Sequence, residues 1–78
     1  MVARTLAGLS PGEAGIIRGF TIVDGFTQRL MQLGLMEGTE VKILRRAPAG
    51  DPLEVEVMGY ALSLRREEAE LVLLENPA

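Results

Sequence analysis

Arg29-Leu30-Met31-Gln32-Leu33-Gly34-Leu35-Met36-Glu37-Gly38-Thr39-Glu40-Val41, continuing through Ala47-Pro48-Ala49-Gly50-Asp51-Pro52-Leu53, is the stretch on which the fold turns. Its first residues read as the end of a short amphipathic helix. Gly34 is placed to stop that helix, because glycine takes the left-handed conformation without the strain a Cβ imposes. Leu35 to Gly38 form a tight corner into an extended run, Thr39 to Arg46. Pro48-Ala49-Gly50-Asp51-Pro52 closes a hairpin, and Leu53 to Val57 returns beside the first strand.

Upstream, Arg4 to Leu9 is expected to be a first strand. Ser10-Pro11-Gly12-Glu13 has Pro and Gly at the two centres that a type II turn requires. Ala14 to Phe20 follows as a second strand, with Gly15 and Gly19 permitting a bend or bulge. Asp24 can cap a helix by accepting a backbone N–H bond, although Asp24-Gly25 also fits a hairpin turn. Phe26, Leu30 and Leu33 recur at i, i+4 and i+7, which favours a helix over about 24–33 with those three residues facing the core.

Downstream, Val41 and Ile43 face one way and Lys42 and Arg46 the other. Leu53, Val55 and Val57 alternate with Glu54 and Glu56, as a half-buried strand does. Met58-Gly59-Tyr60 marks a second tight connection. Tyr60, Leu62 and Leu64 form one apolar face, Arg66 to Ala69 fit one helical turn, and Glu70 to Glu75 make a last strand. Five to six short strands with one short helix indicate a mainly β fold, a small barrel in which curling the sheet removes exposed edges. The first few residues and Asn76-Pro77-Ala78 read as loose ends.

A chain of 78 residues is one domain, 1–78. Hydrophobic residues make up 47% and aromatics 4%, so the chain is globular and its core aliphatic. There is no cysteine, which removes disulfides and thiolate metal sites and fits a reducing cytoplasm. The formal net charge of −3 disfavours direct contact with nucleic acid, since the two basic pairs, Arg45-Arg46 and Arg65-Arg66, sit among glutamates. No run approaches the ~18 apolar residues of a membrane span, and no signal-peptide core is seen. Contact with a membrane is expected only through a partner.

Arg29-Leu30-x-x-Leu33-Gly34-Leu35-x-x-Gly38-x-x-Val41, followed by Ala47-Pro48-x-Gly50-Asp51-Pro52, resembles the FeoA family. The resemblance extends to Leu6-x-x-Leu9-x-Pro11-Gly12-Glu13-x-Gly15-x-Ile17 and to Ala61-Leu62-Ser63-Leu64-Arg65, so it covers nearly the whole chain. It implies an SH3-like β-barrel in a small cytoplasmic protein associated with FeoB, the GTP-hydrolysing ferrous-iron transporter. A similar barrel forms the C-terminal domain of some iron- and manganese-responsive repressors.

The residues themselves argue against several chemistries. Without His or Cys, general-base His catalysis, Cys nucleophiles and His-ligated metals are excluded, and Lys42, the sole lysine, leaves a Ser–Lys arrangement as the remaining nucleophile. An enzyme is not expected. Glu67, Glu68 and Glu70, or Glu54 and Glu56, offer oxygen ligands alone, which suit hard cations better than a selective transition-metal site. Solvated surface carboxylates are the simpler reading, so no metal site and no cofactor are assigned. No phosphate loop is present, and nucleotide hydrolysis would belong to a partner.

Surface recognition remains. Met31 lies about 100° around the helix from Leu30. Leu35 and Met36 occupy a corner, and Leu44 is out of phase with Val41 and Ile43. With Pro48, Gly50, Asp51 and Leu53 near the hairpin, these residues form a candidate partner-binding surface, the alternative being burial at the barrel ends. The expectation is a non-catalytic binding module; the resemblance supplies the FeoB-type transporter and ferrous-iron uptake. The alternative is a regulatory or assembly module related to the repressor barrels. A third reading is a homo-oligomeric structural piece that uses Leu71-Val72-Leu73-Leu74 as an edge or buried strand; on the leading reading the chain is a monomer or weak homo-oligomer.

Overall fold

Alternating apolar residues and glycine-bearing turns dictate a sheet, and the computed structural model, which describes residues 4–75, shows five antiparallel strands with two short helices. A 3-10 turn at Leu6–Gly8 precedes β1 (Ala14–Phe20), α1 (Gly25–Gln32), β2 (Glu40–Arg46), β3 (Leu53–Val57), β4 (Tyr60–Leu64), α2 (Arg66–Ala69) and β5 (Val72–Leu74). The strand order is β4-β3-β2-β1-β5. The loose ends expected at the termini fall largely outside the described residues.

β1 curls the sheet. Ala14, Gly15 and Ile16 pair with β2, whereas Ile17 to Phe20 pair with β5, and the register shifts between Ile17 and Gly19. Gly15 allows the close approach, because a Cβ there would meet Leu74 Cδ1 at 3.0 Å. Leu6, Leu9, Ile17, Leu30, Leu35, Val41, Ile43, Leu53, Val55, Val57, Leu64, Ala69, Val72 and Leu74 form one buried cluster. It is aliphatic throughout: Phe20 packs at its margin, while Phe26 and Tyr60 are exposed.

The expected strand over Arg4 to Leu9 is absent. Thr5 makes one bridge to Leu73, and the 3-10 turn then sends Leu6 and Leu9 into the core. Arg46 helps to hold this segment, and it is not on the outer face with Lys42. The β2–β3 register slips between Ile43 and Arg45, leaving Leu44 as the extra residue, so Arg46 pairs with Leu53 on the inward phase. Its Nη2 donates to the carbonyls of Ala7 at 2.6 Å and Leu9 at 2.7 Å.

α1 also turns differently from the apolar spacing. Asp24 Oδ1 accepts from the Thr27 amide at 3.0 Å, and the Asp24 amide donates to Thr27 Oγ1 at 2.9 Å. This reciprocal cap fixes Thr27 inward, so Thr27 and Leu30 are buried while Phe26 and Leu33 are exposed. The core stripe is thus one residue around the helix from the one expected. At the other end, Leu35 N donates to Leu30 O at 3.1 Å and Gly34 N to Met31 O at 3.0 Å, with Gly34 at φ +109°. That is a Schellman stop, whose two flanking residues, Leu30 and Leu35, pack together in the core.

β4 grades from exposed Tyr60 to buried Leu64 instead of presenting one uniform apolar face. α2 matches the expected helical turn and shortens β5 to Val72–Leu74. β5 lies between β1 and the Arg4–Thr5 segment, whose Arg4 carbonyl accepts from Leu74 N at 2.9 Å. Replacing Arg46 by Ala leaves two carbonyls without their charged donor. Arg46→Ala should cost about 2 kcal/mol in urea denaturation, with faster amide exchange in residues 5–9.

Candidate partner-binding surface

The Schellman stop settles one of the candidates. Leu35 follows Gly34 as the apolar residue that such a stop turns inward, and it is fully buried. Leu53 is also fully buried, at the inward start of the β3 alternation opposite Leu64. Neither offers a surface, and both expectations are corrected.

The remaining candidates lie towards opposite ends of the β2–β3 hairpin. Val41 pairs with Val57 and Arg46 with Leu53, so the ends are roughly 16 Å apart, five residues at about 3.3 Å each. Met31 is half-buried and Met36 is 47% exposed, both next to the helix stop. Leu44 is exposed at the bulge, and Pro48, Gly50 and Asp51 belong to the far loop. There Gly50 N donates to Ala47 O at 2.7 Å, and Asp51 Oδ1 accepts from the Arg66 amide at 3.0 Å, at the start of α2. Gly50 and Asp51 therefore have structural work within the loop. A groove of about 450 Å³ beside it is lined by Arg45, Arg46, Pro48, Pro52, Glu54 and Ser63, among others. Arg45 Nε pairs with Glu54 Oε1 at 3.1 Å, and Arg46 is committed to the Leu6–Gly8 segment, so the groove has little unpaired charge.

The helix-stop end has a different character. A Cβ on Gly34 would meet Tyr60 Oη at 3.1 Å and Met58 Sδ at 3.2 Å. The end of α1 therefore packs directly on the β3–β4 turn. Met58 is 65% exposed and Tyr60 43%, and Leu33 beside Gly34 is exposed as well. Leu33, Met36, Met58 and Tyr60 thus gather around Gly34 as exposed apolar side chains, two of them adaptable methionines.

Met58 carries a further signal. It is the one non-glycine residue with positive φ among the described residues, at +52°, followed by Gly59 at +84°. Positive φ at both centres is a type I′ turn, for which Asn-Gly and Asp-Gly are the favoured pairs. A Met in this conformation costs roughly 1 kcal/mol relative to a residue suited to it. The Val57-Met58-Gly59-Tyr60 spacing, with a large apolar residue where Asn or Asp belongs, is the sequence signal that identifies this turn. The sequence marks a tight connection at Met58-Gly59-Tyr60 but does not by itself place Met58 on the surface.

Other chemistry finds less support. Among the described residues, no three acidic side chains are arranged so that they could hold a metal ion together. Glu68 Oε1 accepts from the Arg65 amide at 2.6 Å, and Glu54 is paired with Arg45. No helix among the described residues is long and apolar enough to cross a membrane.

The profile of the FeoA domain matches residues 4–76. The chain belongs to the FeoA family. An FeoA-like protein from Clostridium acetobutylicum superposes with a TM-score of 0.85 at 32% identity, covering 96% of this chain and 88% of that one. FeoA from Stenotrophomonas maltophilia, described as a prokaryotic SH3 domain protein and solved with zinc, gives 0.83 at 30% identity, covering 94% and 91%. The fold is accordingly the SH3-like barrel, and the family is that of a ferrous-iron transport accessory. An Fe(2+) transport protein A/Fe(2+) transporter FeoB fusion protein from Porphyromonas gingivalis is 30% identical over 70 residues. This match spans 90% of the present chain but 8% of the fusion's length. A manganese-dependent transcriptional repressor shares the fold alone, with a TM-score of 0.79 at 18% identity, covering 92% of this chain and 40% of the repressor.

Two stability outcomes follow from the geometry. Leu35→Asp buries a carboxylate in the aliphatic core and should cost at least about 4 kcal/mol, unfolding the domain by circular dichroism, whereas Met36→Asp should stay folded. Met58→Asn should raise the urea midpoint by the equivalent of roughly 1 kcal/mol, because Asn accepts the left-handed conformation.

Proposed function

We propose that this FeoA-family chain is a non-catalytic cytoplasmic binding module that docks on a FeoB-type transporter and supports or regulates ferrous-iron uptake. The observation that carries the proposal is the relative in which a matching segment and the FeoB transporter are one chain. Covalent linkage raises the effective concentration of two parts into the millimolar range, so it is useful where they meet and their separate affinity is modest. A free-standing chain needs a surface of its own to do the same. The exposed cluster of Leu33, Met36, Met58 and Tyr60 is the best supported candidate, with Gly34 beneath it.

Met58 strengthens that assignment. Its backbone conformation opposes stability while its side chain, resting on the helix end at Gly34, stays 65% exposed. A strained backbone under a largely exposed apolar side chain supports a contact made with a partner. On this reading the membrane is reached only through the partner, nucleic acid is not contacted directly, and iron is the transporter's cargo. Hydrolysis of nucleotide belongs to the transporter.

Binding of the purified chain to a FeoB-type transporter tests this, with the cytosolic GTPase domain and the full-length protein in detergent measured separately. The expected outcome is saturable binding that Met58→Asn and Met36→Asp each weaken by about tenfold or more, equivalent to ~1.4 kcal/mol. Met58→Asn is the sharper variant, since it is expected to bind less while folding better. No binding by a folded chain to either form would favour the alternative, a regulatory or assembly module like the repressor barrels.

A further inference from the structure

β4 ends the sheet, and among the described residues its outer side is open. The order β4-β3-β2-β1-β5 leaves two edges, but Arg4 and Thr5 lie along β5 through the Thr5–Leu73 bridge and the bond from Leu74 N to Arg4 O. Nothing comparable covers β4 among the described residues. Five consecutive pairs join β4 to β3 without a bulge, from Val57–Tyr60 to Leu53–Leu64.

The two-residue turn determines which groups are free. In such a hairpin the closing pair, Val57 and Tyr60, exchanges both backbone bonds, and bonded pairs then alternate along the ladder. Tyr60, Leu62 and Leu64 therefore direct their N–H and C=O groups towards β3. Ala61 and Ser63 direct theirs outwards, and no hydrogen bond to either backbone from outside the strand pair is present among the described residues. The edge also lacks the usual protections. Tyr60-Ala61-Leu62-Ser63-Leu64 contains no charge, no proline and no bulge.

We propose that β4 is a self-association edge, on which a second copy of this chain adds its own β4 antiparallel about a two-fold axis at Leu62. In this register Ala61 faces Ser63 of the second copy and Ser63 faces its Ala61. Both pairs are of the bonded kind, so all four free groups of each copy are used, while Leu62 meets its counterpart at a non-bonded position where side chains approach closely. The inward row becomes Val55-Leu62-Leu62-Val55, apolar throughout, and covers the half-buried Leu62. The outward rows run Glu56-Ala61-Ser63-Glu54. Their carboxylates are three strand spacings apart, roughly 14 Å, beyond the ~10 Å over which exposed charges act at moderate salt. Two chains of net charge −3 therefore meet along a neutral line.

A highly charged partner segment finds no complement on this edge, whereas a second copy matches it group for group. The contact is small. One pair of five-residue strands lies at the low end of interface sizes, so the dimer dissociates on dilution.

The test is sedimentation of the full chain across a wide concentration range, with amide exchange followed by NMR. The expected result is a mass rising from one copy to two, with slowing of exchange at Ala61 and Ser63 that tracks the dimer. Ala61→Pro removes an outward N–H that β3 does not use and should hold the chain monomeric with an unchanged circular dichroism spectrum. Ser63→Lys, which charges the edge without touching the core, should do the same and decides the matter if Ala61→Pro fails to fold. A wild-type monomer at the highest concentration overturns the proposal. So does dimerisation that persists in the folded variants, or that leaves the Ala61 and Ser63 amides unprotected. These outcomes are read without the transporter, whose binding the Met58 variant reads separately.

Discussion

Closure of a small sheet on itself depends here on one strand serving two neighbours. β1 gives its first half to β2 and its second half to β5, and it changes partner across the irregularity at Ile17–Gly19. The absence of a side chain at Gly15 lets Leu74 lie against the strand where it bends. Without that bend, the apolar faces of β2–β4 and of β5 would not enclose a common interior. The aliphatic cluster from Leu6 to Leu74 is the consequence, and its residues come from nearly every element. A domain of this size buries only about 60% of its unfolded surface, so few core positions are dispensable.

The second constraint is the glycine at the end of α1. Gly34 takes a left-handed conformation, turns Leu35 into the core and leaves no room for a Cβ beneath Met58 and Tyr60. One residue therefore ends the helix, fixes the corner into β2 and seats the β3–β4 turn. The apolar cluster around it is a by-product of that geometry: side chains of the helix end and of the turn are brought together without being enclosed. A rigid platform carrying exposed methionines suits adaptable recognition, since the backbone is fixed while the contacting groups are not.

Most of the fold was legible because its signals are local. The Pro11-Gly12 turn, the β1 span, the Leu53/Val55/Val57 alternation, the Gly34 stop and the single turn of α2 each follow from nearby residues. A local pattern misleads where it has more than one tertiary solution. Phe26, Leu30 and Leu33 have a helical period, but the reciprocal Asp24–Thr27 cap rotated the buried stripe to Thr27 and Leu30. Arg46 looked like a surface cation until the slip at Leu44 reversed its phase. Leu6 and Leu9 looked like a strand, yet only Thr5 finds a ladder partner.

The sequence by itself determined the class of the protein: one mainly β domain with an aliphatic core, no His or Cys chemistry, and turns where glycine and proline demand them. These depend on composition and on interactions within a few residues, which the chain carries wherever it goes. Tertiary structure alone decided which apolar residues are surface. Leu35 and Leu53 were withdrawn into the core, while Met58 and Tyr60 were brought beside the helix end from more than twenty residues away. It also decided that, among the described residues, β4 and not β5 is the open edge, because strand order depends on how the curled sheet meets the N-terminal segment. Periodicity says which side of an element is apolar. What covers that side is settled only when distant parts of the chain compete for it.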